Sequence, residues 1–337
     1  MKSDAAIPAP ALRFEPVQDG YGTRLALVFG NEAPGGVCPF YSRQCYHCDI
    51  GSGEGAQFDA GMNGERLGFF RRHYASVLPK VAHLVLYNSG SVLNPRELAA
   101  GSLQGILEYA AALANCRVIS LDSREAYIRK THLDRVLGCL RPDQQPRPIL
   151  GLETQNDEVR LRVLNKRMTR SAVEAAFRAI GHYEGRVGLD LNIVFGLPPL
   201  QGRAAVAEAE ATARFGLELA ARHGVPLDFN FHPYYPSRIA RDHFPEHPRA
   251  DLGAALEAVT RIREVILQSG RPSMLFIGLE DERHDQEPSV RRAELARYAE
   301  LFHRFRGLSR GAGQGRRTAA RTVFLSSQKP SGLAGPS

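Results

Sequence analysis

The chain has 337 residues, 43% of them hydrophobic and 23% charged, and a formal net charge of +7. That apolar content suffices for a large core. No run reaches the roughly 18 apolar residues of a membrane span, and the start MKSDAAIPAP lacks the basic-then-apolar order of a signal peptide. A soluble, cytoplasmic protein with no membrane partner is therefore expected. The positive charge belongs to one end: Arg304, Arg306, Arg310, Arg316, Arg317, Arg321 and Lys329 follow Glu300 with no acid among them, and the rest balances 36 basic against 36 acidic residues.

Residues 1–20 read as an N-terminal extension. The first strand is expected at 24–30 (RLALVFG), and behind it the Gly/Pro-bounded stretch CPFYSRQCYHC carries Cys38, Cys45 and Cys48. A Cys-x2-Cys pair lets two thiolates reach one metal centre within a single turn, and the third thiol adds a further corner. Structural zinc wants four protein ligands in a closed tetrahedron, whereas an iron–sulfur cluster on three cysteines leaves one iron open. His47, inside the pair, is either a loop residue or the fourth ligand of a Cys3His zinc site. Cys116 and Cys139 lie in separate segments and read as buried apolar fillers. The five thiols thus point to metal chemistry in a reducing compartment, not to a disulfide framework.

Further strands are expected at 81–87, 116–122, 148–153, 188–196 and 226–233, with helix-like runs at 66–78, 95–114, 171–183 and 203–224 between them. After the first gap, consecutive strands start about 30–40 residues apart, the length of a βαβ crossover. Six such units predict a parallel sheet with helices outside it, wound as an open curved sheet or as a barrel. Either winding gathers the strand ends: the cysteine loop, Asn88-Ser89-Gly90-Ser91, Asp122-Ser123-Arg124, Glu153-Thr154, Gly196-Leu197-Pro198 and His232-Pro233. Any one such cluster is ordinary strand-end polarity; their coincidence with three cysteines favours function. Beyond Pro236, the segment 237–306 forms a C-terminal extension: a Pro/His-rich connection, a helix from about Asp251, a seventh strand (SMLFIGLE) and a helix near 289–305 packed across the barrel end. The Gly- and Arg-rich segment 307–337 reads as a flexible basic tail.

Over about residues 20–235 the chain resembles the radical S-adenosylmethionine (SAM) superfamily, through the three-cysteine loop after the first strand and the repeated βα units. The stretches YNSGSVLNPRE, DSREAYI and GLETQNDEVRLRVLNKRMT resemble the branch that contains the Elongator and archaeosine synthase radical-SAM subunits. The Cys-x6-Cys-x2-Cys spacing is three residues longer than the commonest Cys-x3-Cys-x2-Cys form. The resemblance implies an α/β fold, a partial (βα)6 TIM-like barrel with a C-terminal helical extension. It also implies an oxidoreductase-like enzyme in which Cys38, Cys45 and Cys48 hold a [4Fe–4S] cluster. Its free iron would bind SAM, which is cleaved reductively to a 5′-deoxyadenosyl radical with an electron donor such as flavodoxin or ferredoxin. By the same resemblance, Asn88, Ser89 and Gly90 meet the methionine amino group. Ser123, Arg124 and Glu153 meet carboxylate or ribose oxygens, and Gly196, Pro198 and His47 lie by the adenine.

Plainer readings stand beside these. Lys166 is a SAM or substrate contact or a solvated helix-start charge, and His232 a catalyst or a satisfied core histidine. Tyr234 and Tyr235 face substrate or close the barrel mouth. Phosphate-loop, zincin and nucleophile-elbow motifs are missing from the sequence. The balanced body favours a small biosynthetic metabolite as substrate, since RNA-binding enzymes present a basic face. A tRNA-modifying enzyme, with the basic tail docking RNA, is the first alternative, and a zinc-bound interaction module the second.

Overall fold

The computed structural model describes residues 16–41, 43–48, 57–278 and 322–323. The expected helix near 289–305 lies outside them, as does the tail apart from Thr322 and Val323. Nine strands form one sheet in sequence order: β1 Val17–Gln18, β2 Thr23–Phe29, β3 Val81–Asn88, β4 Val118–Ser123, β5 Gln145–Glu153, β6 Leu189–Phe195, β7 Leu227–Pro233, β8 Leu275–Ile277 and β9 Thr322–Val323. Among the described residues, only the β1–β2 pair is antiparallel. Consecutive parallel strands joined by helices curl into a partial barrel, because each right-handed crossover sets its helix on the same outer face.

The helices are α1 Ala60–His73, α2 Ala100–Ala112, α3 Lys130–Cys139, α4 Arg170–Gly181, α5 Gly202–His223, α6 Arg238–His243 and α7 Leu252–Gln268. Side-chain oxygens cap four of them: Asp59, Thr169, Ser237 and Asp251 each accept from a backbone N–H two residues into the helix. Among the described residues, no helix is long and apolar enough to cross a membrane.

Each strand splits its residues by period two. In β6, Leu189, Leu191, Ile193 and Phe195 join Leu227, Phe229 and Phe231 of β7 in the core between sheet and helices. Asp190, Asn192 and Val194, with Asp228, Asn230 and His232, take the concave face. Midway along that face Ala26, Val85 and Ile149 form a small apolar cluster that Tyr87 caps.

The lower end of the concave face is a buried polar network. Arg147, fully enclosed, lies 2.6 Å from Asp190 and 3.0 Å from Asp228, and Tyr21 donates to Asp228 at 2.6 Å. His83 joins Asp19 at 2.5 Å to Ser120 at 2.8 Å, and Ser120 donates to Asp190 at 2.5 Å. Every charge here is paired, as burial demands. β5 starts three residues earlier than expected, at Gln145, so that Pro146 as well as Pro148 is a strand residue. Gln145 N donates to the β4 side, at Arg117 O, so by alternation both prolines turn their missing N–H toward β6. Pairing with β6 begins only at Ile149, so no ladder bond is lost.

Candidate functional site

At the carboxyl ends of the strands the concave face opens into a cavity of about 270 Å³. Tyr87, Asp122, Gly151, Asn192, Val194 and His232 line it from the strands. The cysteine loop adds Cys38, Cys45, His47 and Cys48, and the chain after β7 adds Tyr234, Tyr235 and Ser237.

The cysteine loop is folded by its own turns and by contacts from distant chain. Tyr41 N donates to Cys38 O and Cys48 N to Cys45 O, both at 2.9 Å. Cys45 sits at φ 55, a left-handed conformation uncommon for a side-chain-bearing residue. What holds it there is the segment after β5: Cys45 N donates to Asn165 O, Tyr46 N to Leu164 O at 3.0 Å, and Asn165 Nδ2 to Arg43 O at 3.0 Å. On the other side α6 clasps the loop. Arg238 donates to Tyr41 Oη at 2.8 Å, and the His243 ring stacks on Tyr46 with centroids 3.7 Å apart.

Glu153 ends β5 after a register shift, at φ 67. This backbone sends its carboxylate to Lys166 Nζ, 2.7 Å away, with His47 Nε2 at 3.9 Å from the same oxygen. Gly151 leaves the room: a Cβ there would stand 2.6 Å from Glu153 Oε1. Burial opposes ionisation of Glu153, but Lys166 and His47 outweigh it and hold the carboxyl at about 2. Burial lowers His47 below the ordinary imidazole range, against the pull of Glu153. Among the described residues, two atoms of the group, Glu153 Oε2 and His47 Nδ1, are buried without a hydrogen-bond partner. A bound molecule with donor and acceptor groups is what such atoms lack.

Arg124, at the end of β4, donates to Cys45 Sγ at 3.3 Å and to Lys166 O at 2.7 Å, and its guanidinium lies 4.1 Å from the Phe40 ring centre. It ties three loops together and presents positive charge to a cysteine sulfur. Burial, reinforced by Glu97 and Cys45, pushes the Cys38 thiol up to about 11. A thiol so placed becomes a thiolate when a metal displaces its proton.

The turn after β3 is built around Glu97, a fully buried carboxylate. It accepts from Ser91 N at 2.9 Å, from Asn94 Nδ2 and from Asn31 Nδ2. Gly90 is required here because a Cβ would come within 1.7 Å of Glu97 Oε2.

Of the residues singled out in the sequence, Cys38, Cys45, Cys48, His47, Gly90, Ser123, Arg124 and Glu153 meet at the cavity wall. Four do not line it. Asn88 is enclosed beside Glu97, its Nδ2 3.4 Å from Glu97 O and its Oδ1 unpartnered. The Ser89 carbonyl accepts from Asn31 at 2.9 Å. Gly196, at φ 79, closes the wall: its carbonyl accepts from His247 at 2.9 Å, and a Cβ on it would meet Ala250 at 3.1 Å. Pro198 lies beyond it, in a cis bond to Pro199. Lys166 is no solvated charge but a buried ion-pair partner. His232 and Tyr234 also reach the cavity, with Asn192 and Ser91. The alternation Leu-Asp-Leu-Asn-Ile in β6 was the available signal for Asn192; nothing in the sequence marked Ser91 apart from its turn.

No protein-family profile and no curated protein matches the chain. Solved structures do. SuiB of Streptococcus suis, solved bound to S-adenosylmethionine, is 10% identical with a TM-score of 0.51, the match covering 75% of this chain and 50% of that one. The queuine lyase of Clostridium spiroforme, solved with SAM and queuine, is 15% identical at a TM-score of 0.44, covering 65% of this chain and 79% of its own. Elp3 of the archaeon Methanocaldococcus infernus is 11% identical at 0.44, covering 71% and 53%. The chain spans about half the length of the SuiB and Elp3 chains it matches. The likeness to SuiB is one of fold.

Among the described residues, no three His, Cys, Asp or Glu side chains are grouped to hold a single metal ion. The donor set nevertheless fits a larger group held by three thiolates. Three cysteines of one loop share a cavity, one of them faces a guanidinium, and the two residues that carry the orphaned polar atoms line the same cavity.

Proposed function

We propose that the protein is a radical SAM enzyme acting on a small biosynthetic metabolite. The observation that carries this is the shared cavity of Cys38, Cys45 and Cys48 with the unpartnered atoms Glu153 Oε2 and His47 Nδ1. The three thiolates are the ligands for a [4Fe–4S] cluster. When bound, such a cluster supplies the electron that breaks a carbon–sulfur bond of SAM and yields a 5′-deoxyadenosyl radical.

The chain's own residues do the rest. Arg124 donates to the Cys45 sulfur and offers positive charge for a carboxylate. Glu153 Oε2 accepts from a hydroxyl such as those of ribose, and Lys166 keeps that carboxylate ionised while His47 presents Nδ1. The concave wall of Tyr87, Asn192, Val194 and His232 surrounds the reacting atoms and limits water. A cytoplasmic setting and a flavodoxin- or ferredoxin-type donor complete the reading, since thiolate ligands need a reducing compartment.

The test is anaerobic reconstitution with iron and sulfide, followed by SAM and a strong reductant. A brown protein releasing 5′-deoxyadenosine is expected, with the release abolished in Cys45→Ala. A colourless protein that binds zinc and never cleaves SAM would sink the proposal and favour the zinc-bound module. The tRNA reading is favoured by the seven positive charges after Glu300. It predicts tRNA binding that weakens steeply with salt and is lost on deleting residues 307–337.

A further inference from the structure

Tyr234 follows β7, lines the cavity and is only 2% exposed. Its backbone is fixed on both sides: N donates to Phe195 O at 2.8 Å, and O accepts from Ala250 N at 2.9 Å. Its ring lies 5.5 Å from that of His247, which is itself held by Gly196 O. A side chain so anchored has little freedom to seek a partner. Yet among the described residues its Oη has none.

A buried hydroxyl without a partner costs free energy that a donor-acceptor contact from outside the chain recovers. Burial pushes this hydroxyl up to about 12, with Arg241 acting against the shift, so it is a donor at neutral pH. The segment beside it is rich in cations. Arg238 and Arg241 are exposed on α6, and Arg249 lies 5.8 Å from the Tyr235 ring centre; the acids of this stretch, Asp242 and Glu246, are exposed. Glu153, Lys166 and His47 come from the β5 side and from the cysteine loop instead.

We propose that the β7–α6 end of the cavity is the substrate subsite, where Tyr234 Oη donates a hydrogen bond to an oxyanion of the substrate, a carboxylate or a phosphate. Arg241, exposed on the neighbouring α6, adds positive charge, opposite in sign to the oxyanion, outside the cavity wall. This assignment rests on the radical SAM reading only in giving the opposite, cysteine-lined part of the cavity to SAM.

The experiment uses the reconstituted full-length protein with SAM bound, melted with acetate, benzoate or inorganic phosphate, and the same series on Tyr234→Phe, which keeps the ring. At least one anion is expected to raise the wild-type Tm, and Tyr234→Phe is expected to weaken its apparent Kd by about tenfold or more. Response to the carboxylates alone or to phosphate alone identifies the source of the oxyanion. Without anions, Tyr234→Phe melts at or above the wild-type temperature, because an unsatisfied hydroxyl is gone. The proposal is overturned if no anion shifts the wild type or if both proteins respond alike. It is also overturned if Tyr234→Phe alone melts well below wild type, the mark of a hydroxyl satisfied internally by water. Release of 5′-deoxyadenosine from the same preparation is scored separately. Its failure removes the radical reading and leaves the anion result to stand alone.

Discussion

Lys166 Nζ lies 2.7 Å from Glu153 Oε1, and both side chains are only 8% exposed. The pair bridges the end of β5 and the loop on which the cysteine loop rests, so it belongs to the cavity wall and to the scaffold alike. Neither partner can be removed without stranding the other in a dry environment.

Replacing Glu153 by Gln should therefore cost about 3 kcal/mol at neutral pH. The effect has a pH signature. The Glu153 carboxyl is lowered from 4.5 to about 2, so its contribution is complete above pH 4.5 and disappears as pH falls toward 2. Urea unfolding of wild type and Glu153→Gln across that window should show the stability gap closing with acid. A gap independent of pH would contradict the ion pair as its source.

The Cys45 sulfur is the one the Arg124 guanidinium touches. Arg124→Gln should leave iron and sulfide content near the wild-type level after reconstitution but make the bound cluster harder to reduce, because a positive charge beside a thiolate favours the reduced state. Potentiometric titration measures this. An unchanged midpoint would show that the contact has no electrostatic consequence.

Gly90→Ala should disrupt the turn after β3, because the added methyl would sit 1.7 Å from Glu97 Oε2, an oxygen held by two donors. The expected loss is about 1–3 kcal/mol, typical of an overpacked site. Thermal melting reads the loss, and Gly90→Ala combined with Glu97→Gln should not recover it, since the amide fills the same space.

At the lower end of the barrel, Arg147→Met should destabilise by roughly 3–5 kcal/mol, leaving Asp190 and Asp228 without their cation. Adding Asp190→Asn and Asp228→Asn to the same chain should return a substantial part. Denaturant midpoints of the two variants decide it: if the triple variant is no better than Arg147→Met, the network acts through shape and not through charge.

The strands were readable because their helix-facing residues form apolar runs, as at 189–195 and 227–231, and their starts recur at crossover spacing. The partial barrel follows from that spacing. Pro146 hid the start of β5, since a proline is tolerated in a strand only where its missing N–H faces no partner, and the sequence does not say which way it faces. The cysteine loop announced itself by residue type. The companions of Glu153 did not: a non-glycine residue at φ 67 turns the carboxylate toward Lys166, and such a turn leaves no local pattern. Gly196 stood at a strand end in the sequence, yet it closes the wall because His247 and Ala250, from about fifty residues on, pack over it.

The two clasps on the cysteine loop come from late in the chain. Asn165 and Leu164 fix its inner edge, and Arg238 and His243 its outer edge, whereas the thiols themselves have been synthesised by residue 48. The order of translation is thus the reverse of the order of shaping. A nascent chain carries its three sulfurs for more than a hundred residues before the inner clasp exists and for nearly two hundred before the outer one does. Shaping of the loop is consequently a late event, and a ribosome stalled before α6 leaves it without its outer clasp.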